Sequence, residues 1–215
     1  MPIDDIWTAG GIVTWPLLGF SLLAVALILE RIVFWVRIKR KQRRVVKEAL
    51  SLYQSDPYAA VRRLKQNADL PIARIFLEAL ELEAPTSGEF RLALESATQA
   101  ELPTLRRFST LFQTIITASP LLGLLGTILG LIRSFASMEI GNTAGANTAG
   151  VTGGISEALV STVMGLVVAI STLLFANAFR GLYLRELALI QEYGGQLELL
   201  YRRIYEGART YASPR

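Results

Sequence analysis

The chain has 215 residues, 52% of them hydrophobic, and a mean hydropathy of +0.40, a balance that marks a membrane protein with limited soluble mass. It contains no cysteine and no histidine. Disulfides, thiol nucleophiles and thiolate metal sites are thereby excluded, and so is the usual side chain for metal binding and for proton relays near neutral pH. The net charge of +4 is small, so where the charges lie matters more than their sum.

Residues 1–13 carry Asp4 and Asp5 but no Lys or Arg. A secretory signal would place its basic residues before the apolar run. Here they follow it, so 14–36 is expected to be a first transmembrane helix, with Trp15 and Trp35 at the two interfaces. Glu30 and Arg31 fall in its last turns, where they can pair or snorkel outward. The run that follows packs Arg37, Lys39, Arg40, Lys41, Arg43, Arg44 and Lys47 together. In a soluble protein such a run suggests nucleic acid. Directly after a span it is a positive-inside determinant touching anionic lipid, and no nucleic-acid partner is expected. The N-terminus is therefore expected outside and residues 37–108 in the cytoplasm.

This cytoplasmic stretch carries helical signals throughout. Ser55-Asp56-Pro57 supplies a cap and a first-turn proline for a helix to about Asn67. Leu70-Pro71 opens another, with Ile72, Ile75, Phe76, Ala79 and Leu80 on one apolar face, and Ala84–Gly88 breaks it. A third helix is expected from near Glu89 directly into the membrane, with kinks at Pro103 and Pro120. Charged positions such as Arg62, Arg63, Glu78, Glu81 and Glu83 read as solvated surface.

The second span (109–136) contains an uncharged stretch from Leu111 to Ile132, long enough to cross a bilayer core of about 30 Å. Residues 137–154, with their NTAGANTAG duplication and no Lys or Arg, read as an outer loop. Arg133 is expected to pair with Glu139 or to face headgroups. The third span (155–180) has Glu157 as the one charge before Arg180, and a helical tail (181–215) returns to the cytoplasm. The fold class is thus an all-α membrane protein, with three transmembrane helices, long cytoplasmic helical extensions, N-out and C-in.

Polar residues recur along both later spans. Gln113, Thr117, Pro120, Leu124, Thr127 and Ser134 follow helical spacing on the second, and Glu157, Ser161, Gly165 and Ala169 recur every four residues on the third, with Thr162 beside them. If these spans run antiparallel, Thr127 and Thr162 lie at one depth, about 8 Å to the loop side of the membrane centre. Two readings stand open. The hydroxyls either line a pore or merely back-bond and stitch helices. Gly123, Gly126 and Gly130 suggest close helix packing. Glu157 is either a functional intramembrane acid or a residue favoured by a helix N-terminus.

At Ala118–Phe135 (ASPLLGLLGTILGLIRSF) and Gly153–Ile170 (GGISEALVSTVMGLVVAI) the chain resembles the MotA/TolQ/ExbB proton-channel family, most closely its three-span ExbB/TolQ branch. The resemblance implies a homopentamer whose second and third spans line a pore. It implies an ExbD-like or TolR-like partner in that pore, with a single aspartate-bearing span, and work passed on to a TonB-like or TolA-like protein. Carried over by motif, Thr127, Thr162 and Glu157 are the proton-pathway positions, and Ser171 stands where many relatives have a proline. The lack of His, and of Asp within the spans, fits a channel whose carboxylate comes from another chain. The role implied is energising outer-membrane transport, or, in the TolQ-like alternative, maintaining envelope integrity. A different class is a membrane scaffold that recruits cytoplasmic partners through the basic stretch. No nucleophile–base pair, metal cluster or phosphate loop is legible, so neither an enzyme nor a cofactor is expected.

Overall fold

The computed structural model describes residues 11–141 and 148–212, with side chains described for 11–138 and 150–204. Its helices are α1 (Thr14–Ser55), α2 (Pro57–Lys65), α3 (Pro71–Leu80), α4 (Ser87–Leu105), α5 (Ser109–Gly141) and α6 (Thr148–Ala212). Three stretches, in α1, in α4–α5 and in α6, are long and apolar enough to cross a membrane. Among the described residues there is no strand. The chain is an all-α membrane protein.

The first compact unit comprises residues 1–31 and 108–179. Its small core gathers Ala24, Leu27 and Ile28 of α1 with Phe112 and Ile115 of α5, and Val168, Ala176 and Phe179 of α6 pack against it. The remaining apolar surface faces outward: Leu121, Phe135, Leu159 and Leu174 are 63–67% exposed. In water such a surface would be a large uncovered patch, whereas in a bilayer it is the lipid-facing side. Arg31 is buried, joined to Glu30 at 2.7 Å, and its guanidinium stands 5.5 Å from the centroid of Phe108.

The second unit comprises residues 32–107 and 180–215. Its short helices begin on local chemistry. Asp56 caps α2 by accepting from the Ala59 N–H, with Pro57 in the first turn. Pro71 opens α3, which buries Ile72, Ala73, Ile75, Phe76 and Ala79 as the apolar periodicity predicts. Leu80 is half-buried. Thr86 and Glu89 form a reciprocal capping box at the start of α4, and the two hydrogen bonds hold the Glu89 carboxyl below its usual range. Arg74 of α3 grips Glu101 of α4 through two 2.6 Å hydrogen bonds. Phe90 and Tyr201 stack with centroids 4.2 Å apart, and Tyr201 donates to the Pro85 carbonyl.

The expectation that one helix runs from the cytoplasmic stretch into the second span is corrected. It starts at Ser87 and ends at Leu105, and α5 begins afresh at Ser109. Pro103 lacks the N–H that would bond back one turn, and five residues later Phe108 takes a left-handed φ of 68°, which no helix tolerates. The Phe108 ring is held by the core of the first unit and by Arg31. Pro120, by contrast, lies inside α5 without ending it. Helical structure also extends into the stretch expected as an outer loop, reaching Gly141 from one side and Thr148 from the other. Residues 142–147, Asp4 and Asp5 lie outside the described residues.

Candidate functional site

α5 and the first part of α6 meet along a seam of very small residues. On α5 the buried positions are Ser119, Gly123, Gly126, Gly130 and Ser134, and on α6 they are Gly154, Ala158, Ser161, Gly165 and Ala169. The spacing of three or four residues keeps each set on one helix face. The two sets oppose each other in reverse order. A Cβ on Gly130 would stand 2.7 Å from the Gly154 carbonyl, and one on Gly123 would stand 3.0 Å from that of Ser161. One on Gly165 would stand 3.1 Å from the Gly123 Cα, so the helices are antiparallel and in backbone contact.

That close approach makes the polar cluster. The Gly123 carbonyl lies 3.2 Å from the Thr127 hydroxyl, 3.3 Å from that of Ser161 and 3.2 Å from that of Thr162. Thr127 and Thr162 also hydrogen-bond each other across the seam, and the Ala158 carbonyl lies 3.3 Å from Thr127 Oγ1. Both threonines are half-buried, whereas Ser161 is fully buried. A hydroxyl donates one proton and accepts at two lone pairs, so with more acceptors than donors the pair can redistribute its hydrogen bonds without moving backbone.

Glu157 belongs to another layer. It forms an ion pair with Arg133, and its carboxylate lies against Gly11, whose φ of +65° turns the chain just ahead of α1. Five residues separate it from Thr162, which puts this layer about 7–8 Å along the helix from the hydroxyl pair. Arg133, about half exposed, pairs with Glu157 across the seam, a partner not among those expected for it. The Glu139 side chain is outside those described.

The polar side expected for the second span divides in two. Gln113, Thr117 and Leu124 are exposed, Pro120 and Thr127 half-buried, and Ser134 buried. Thr117 back-bonds to Gln113 within its own helix, as do Ser119 to Ile115 and Thr172 to Val168. The inter-helix roles fall to Thr127, Ser161 and Thr162, with Ser134 reaching the Val151 carbonyl at 3.1 Å. Gly154 and Ser119 were not singled out by sequence. Their signal was present, since each falls on the three-and-four spacing that already contains Gly123 and Gly165. Among the described residues no cluster of carboxylates could hold a metal.

The fold and this seam define a class: a multi-span membrane protein in which two closely packed antiparallel helices hold a cluster of hydroxyls between them. Residues 67–192 match the MotA/TolQ/ExbB proton channel family, and the chain belongs to that family. It is 70% identical over 209 residues to an ExbB-like biopolymer transport protein, number 3, of Synechocystis, covering 96% of this chain and 100% of the relative. It is 37% identical to the ExbB-like 1 protein of the same organism, over 94% of this chain and 80% of that one. A Tol-Pal system protein TolQ of Haemophilus influenzae is 32% identical over 66% of this chain and 58% of its own length. The chain is a multi-pass inner-membrane protein.

Proposed function

We propose that this chain is the proton-channel subunit of an ExbB–ExbD-type motor that uses the proton-motive force to energise TonB-dependent outer-membrane transport. The observation that carries the reading is the Thr127–Thr162 hydroxyl pair, two half-buried hydroxyls meeting at one level across the two spans of the family match. In a ring of subunits, likewise part of the proposal and set at five, repetition of this pair gives a belt of hydroxyls around a pore. The chain's described spans hold no aspartate and no histidine, so the titrating carboxylate is assigned to a single-span ExbD-like partner within the ring. Thr127 and Thr162 solvate that carboxylate and adjust its proton affinity. Glu157, ion-paired a layer away, shapes the electrostatics of the pathway's outer mouth rather than carrying the proton itself. The basic residues after the first span and the loop without Lys or Arg support an N-out, C-in arrangement.

A TolQ-like role beside a TolR-like partner, with work passed to a TolA-like protein, is the second reading, favoured by the TolQ similarity. The ExbB-like relatives cover more of the chain and rank it second. The test is native mass spectrometry of the protein co-expressed with a single-span partner and extracted in mild detergents. Five copies with one or two partner chains is the expected mass. A partner-free assembly that persists across detergents would overturn the motor reading in favour of a scaffold.

A further inference from the structure

Within the second unit, a cleft of about 240 Å³ opens between the stretch of α1 just past its apolar run and the matching stretch of α6. That is far above the roughly 10–15 Å³ that admits a single water. Lys39 and Arg43 line it from α1 and Arg185 from α6. All three are exposed and none has an ion-pair partner among the described residues. Ile38, Leu182 and Leu189 supply apolar wall. Two further lining residues are almost fully buried yet incompletely satisfied among the described residues: Trp35 (3% exposed), whose Nε1–H has no acceptor there, and Gln42 (2% exposed), whose Oε1 has no donor there. Glu186, which also lines the cleft, accepts from the Gln42 side-chain N–H and is held by it.

We propose that this cleft binds the headgroup of one anionic, hydroxyl-bearing phospholipid, of the phosphatidylglycerol class, per protomer. The three unpaired cations supply converging donors to one phosphodiester, which carries a single negative charge. The Trp35 indole N–H is a further donor to it, and a headgroup hydroxyl is the donor that Gln42 Oε1 lacks. The apolar wall suits the top of an acyl chain, and the lining residues fall at and just past the ends of the apolar runs of α1 and α6 in sequence. Arg185 lies far from the basic run in sequence, on another helix, so this is a built site rather than general attraction to a charged membrane. The inference rests on the membrane setting alone and not on the proton pathway.

The test is to titrate the full chain in neutral detergent with phosphatidylglycerol or phosphatidylcholine and count bound lipids per protomer by native mass spectrometry, whatever the subunit number. Expected is one phosphatidylglycerol per protomer, with phosphatidylcholine bound weakly. K39Q/R185Q should weaken it roughly 25-fold, about fivefold for each basic side chain. R37Q/R40Q, which removes the same charge from outside the cleft, should change it less than about threefold. Equal losses in the two double variants, or equal binding of both lipids, would overturn the proposal. Displacement by millimolar inorganic phosphate would overturn the lipid assignment and leave a free-phosphate site.

Discussion

Replacing Thr127 or Thr162 with valine keeps side-chain shape and deletes one hydroxyl. Thr127 Oγ1 has three acceptors within reach but one proton, so the variant loses a single donated hydrogen bond. Both carbonyls remain hydrogen-bonded within their own helices, and Gly123 keeps the Ser161 and Thr162 hydroxyls. A hydrogen bond between membrane helices contributes about 0.6 kcal/mol on average, and roughly 1.7 at most. In a protein of this size that corresponds to a Tm decrease of about 1–2 °C, with roughly 7 °C as a ceiling. Transport should respond quite differently. If the hydroxyls touch the proton's path, energised uptake falls at least about tenfold in Thr127→Val and Thr162→Val, equivalent to about 1.4 kcal/mol on the barrier. Thr127→Ser, which keeps the hydroxyl, should stay within about threefold of wild type. The assay pairs a thermal-shift measurement in detergent with uptake in cells that lack their own subunit. Full uptake in the double valine variant would refute the reasoning. So would a loss of uptake that merely tracks the amount of folded protein.

Further outcomes follow from the same contacts. Gly130→Val should cost about 2–3 kcal/mol, because its Cβ meets the Gly154 carbonyl at 2.7 Å and the Ala158 N at 2.8 Å, both backbone. Gly19→Ala and Gly181→Ala, which have open space inside helices, should not lower the thermal midpoint and should raise it by about 1–4 °C through helix propensity. For Arg133 and Glu157, a double-mutant cycle should give a coupling of about 1 kcal/mol, modest because Arg133 is half exposed. Strict additivity would show that the pair does not interact. Burial raises the pKa of Glu186 above its ordinary 4.5, outweighing the hydrogen bond from Gln42. The folded state therefore holds this proton more tightly than the unfolded chain, and its contribution to stability is full below pH 4.5 and is lost as pH rises through the raised value. Lys39, Arg43 and Arg185 line the same cleft as charged neighbours. Glu186→Gln should remove that slope from a plot of Tm against pH, and an unchanged slope would contradict the assignment.

The three spans, the Asp56 cap, the first-turn Pro71 and the buried face of α3 were legible because each is a local property: an apolar run, a capping or helix-opening residue, a period. Thr127 and Thr162 could be set at one level by counting residues from each span's midpoint, and their hydroxyls do meet. What escaped was long-range. Nothing local says that Phe108 will take a left-handed turn and separate α4 from α5, because the reason is its packing against Arg31 and the span core. The Arg133–Glu157 pair escaped for the same cause, being set by the register of two helices rather than by the nearby Glu139. Four-residue periodicity placed Ser161, Gly165 and Ala169 with Glu157. The helices' close approach instead hides the first three and leaves Thr162, one residue aside, half-open beside Thr127.

Proton influx into liposomes under an imposed pH gradient tests the central claim most directly. It should be measured for the chain alone, for the chain with its single-span partner, and for the Thr127→Val, Thr162→Val double variant of the chain with the same partner. The account predicts flux only when both chains are present and both hydroxyls intact. Flux through the chain alone, or undiminished flux through the double variant, would contradict it.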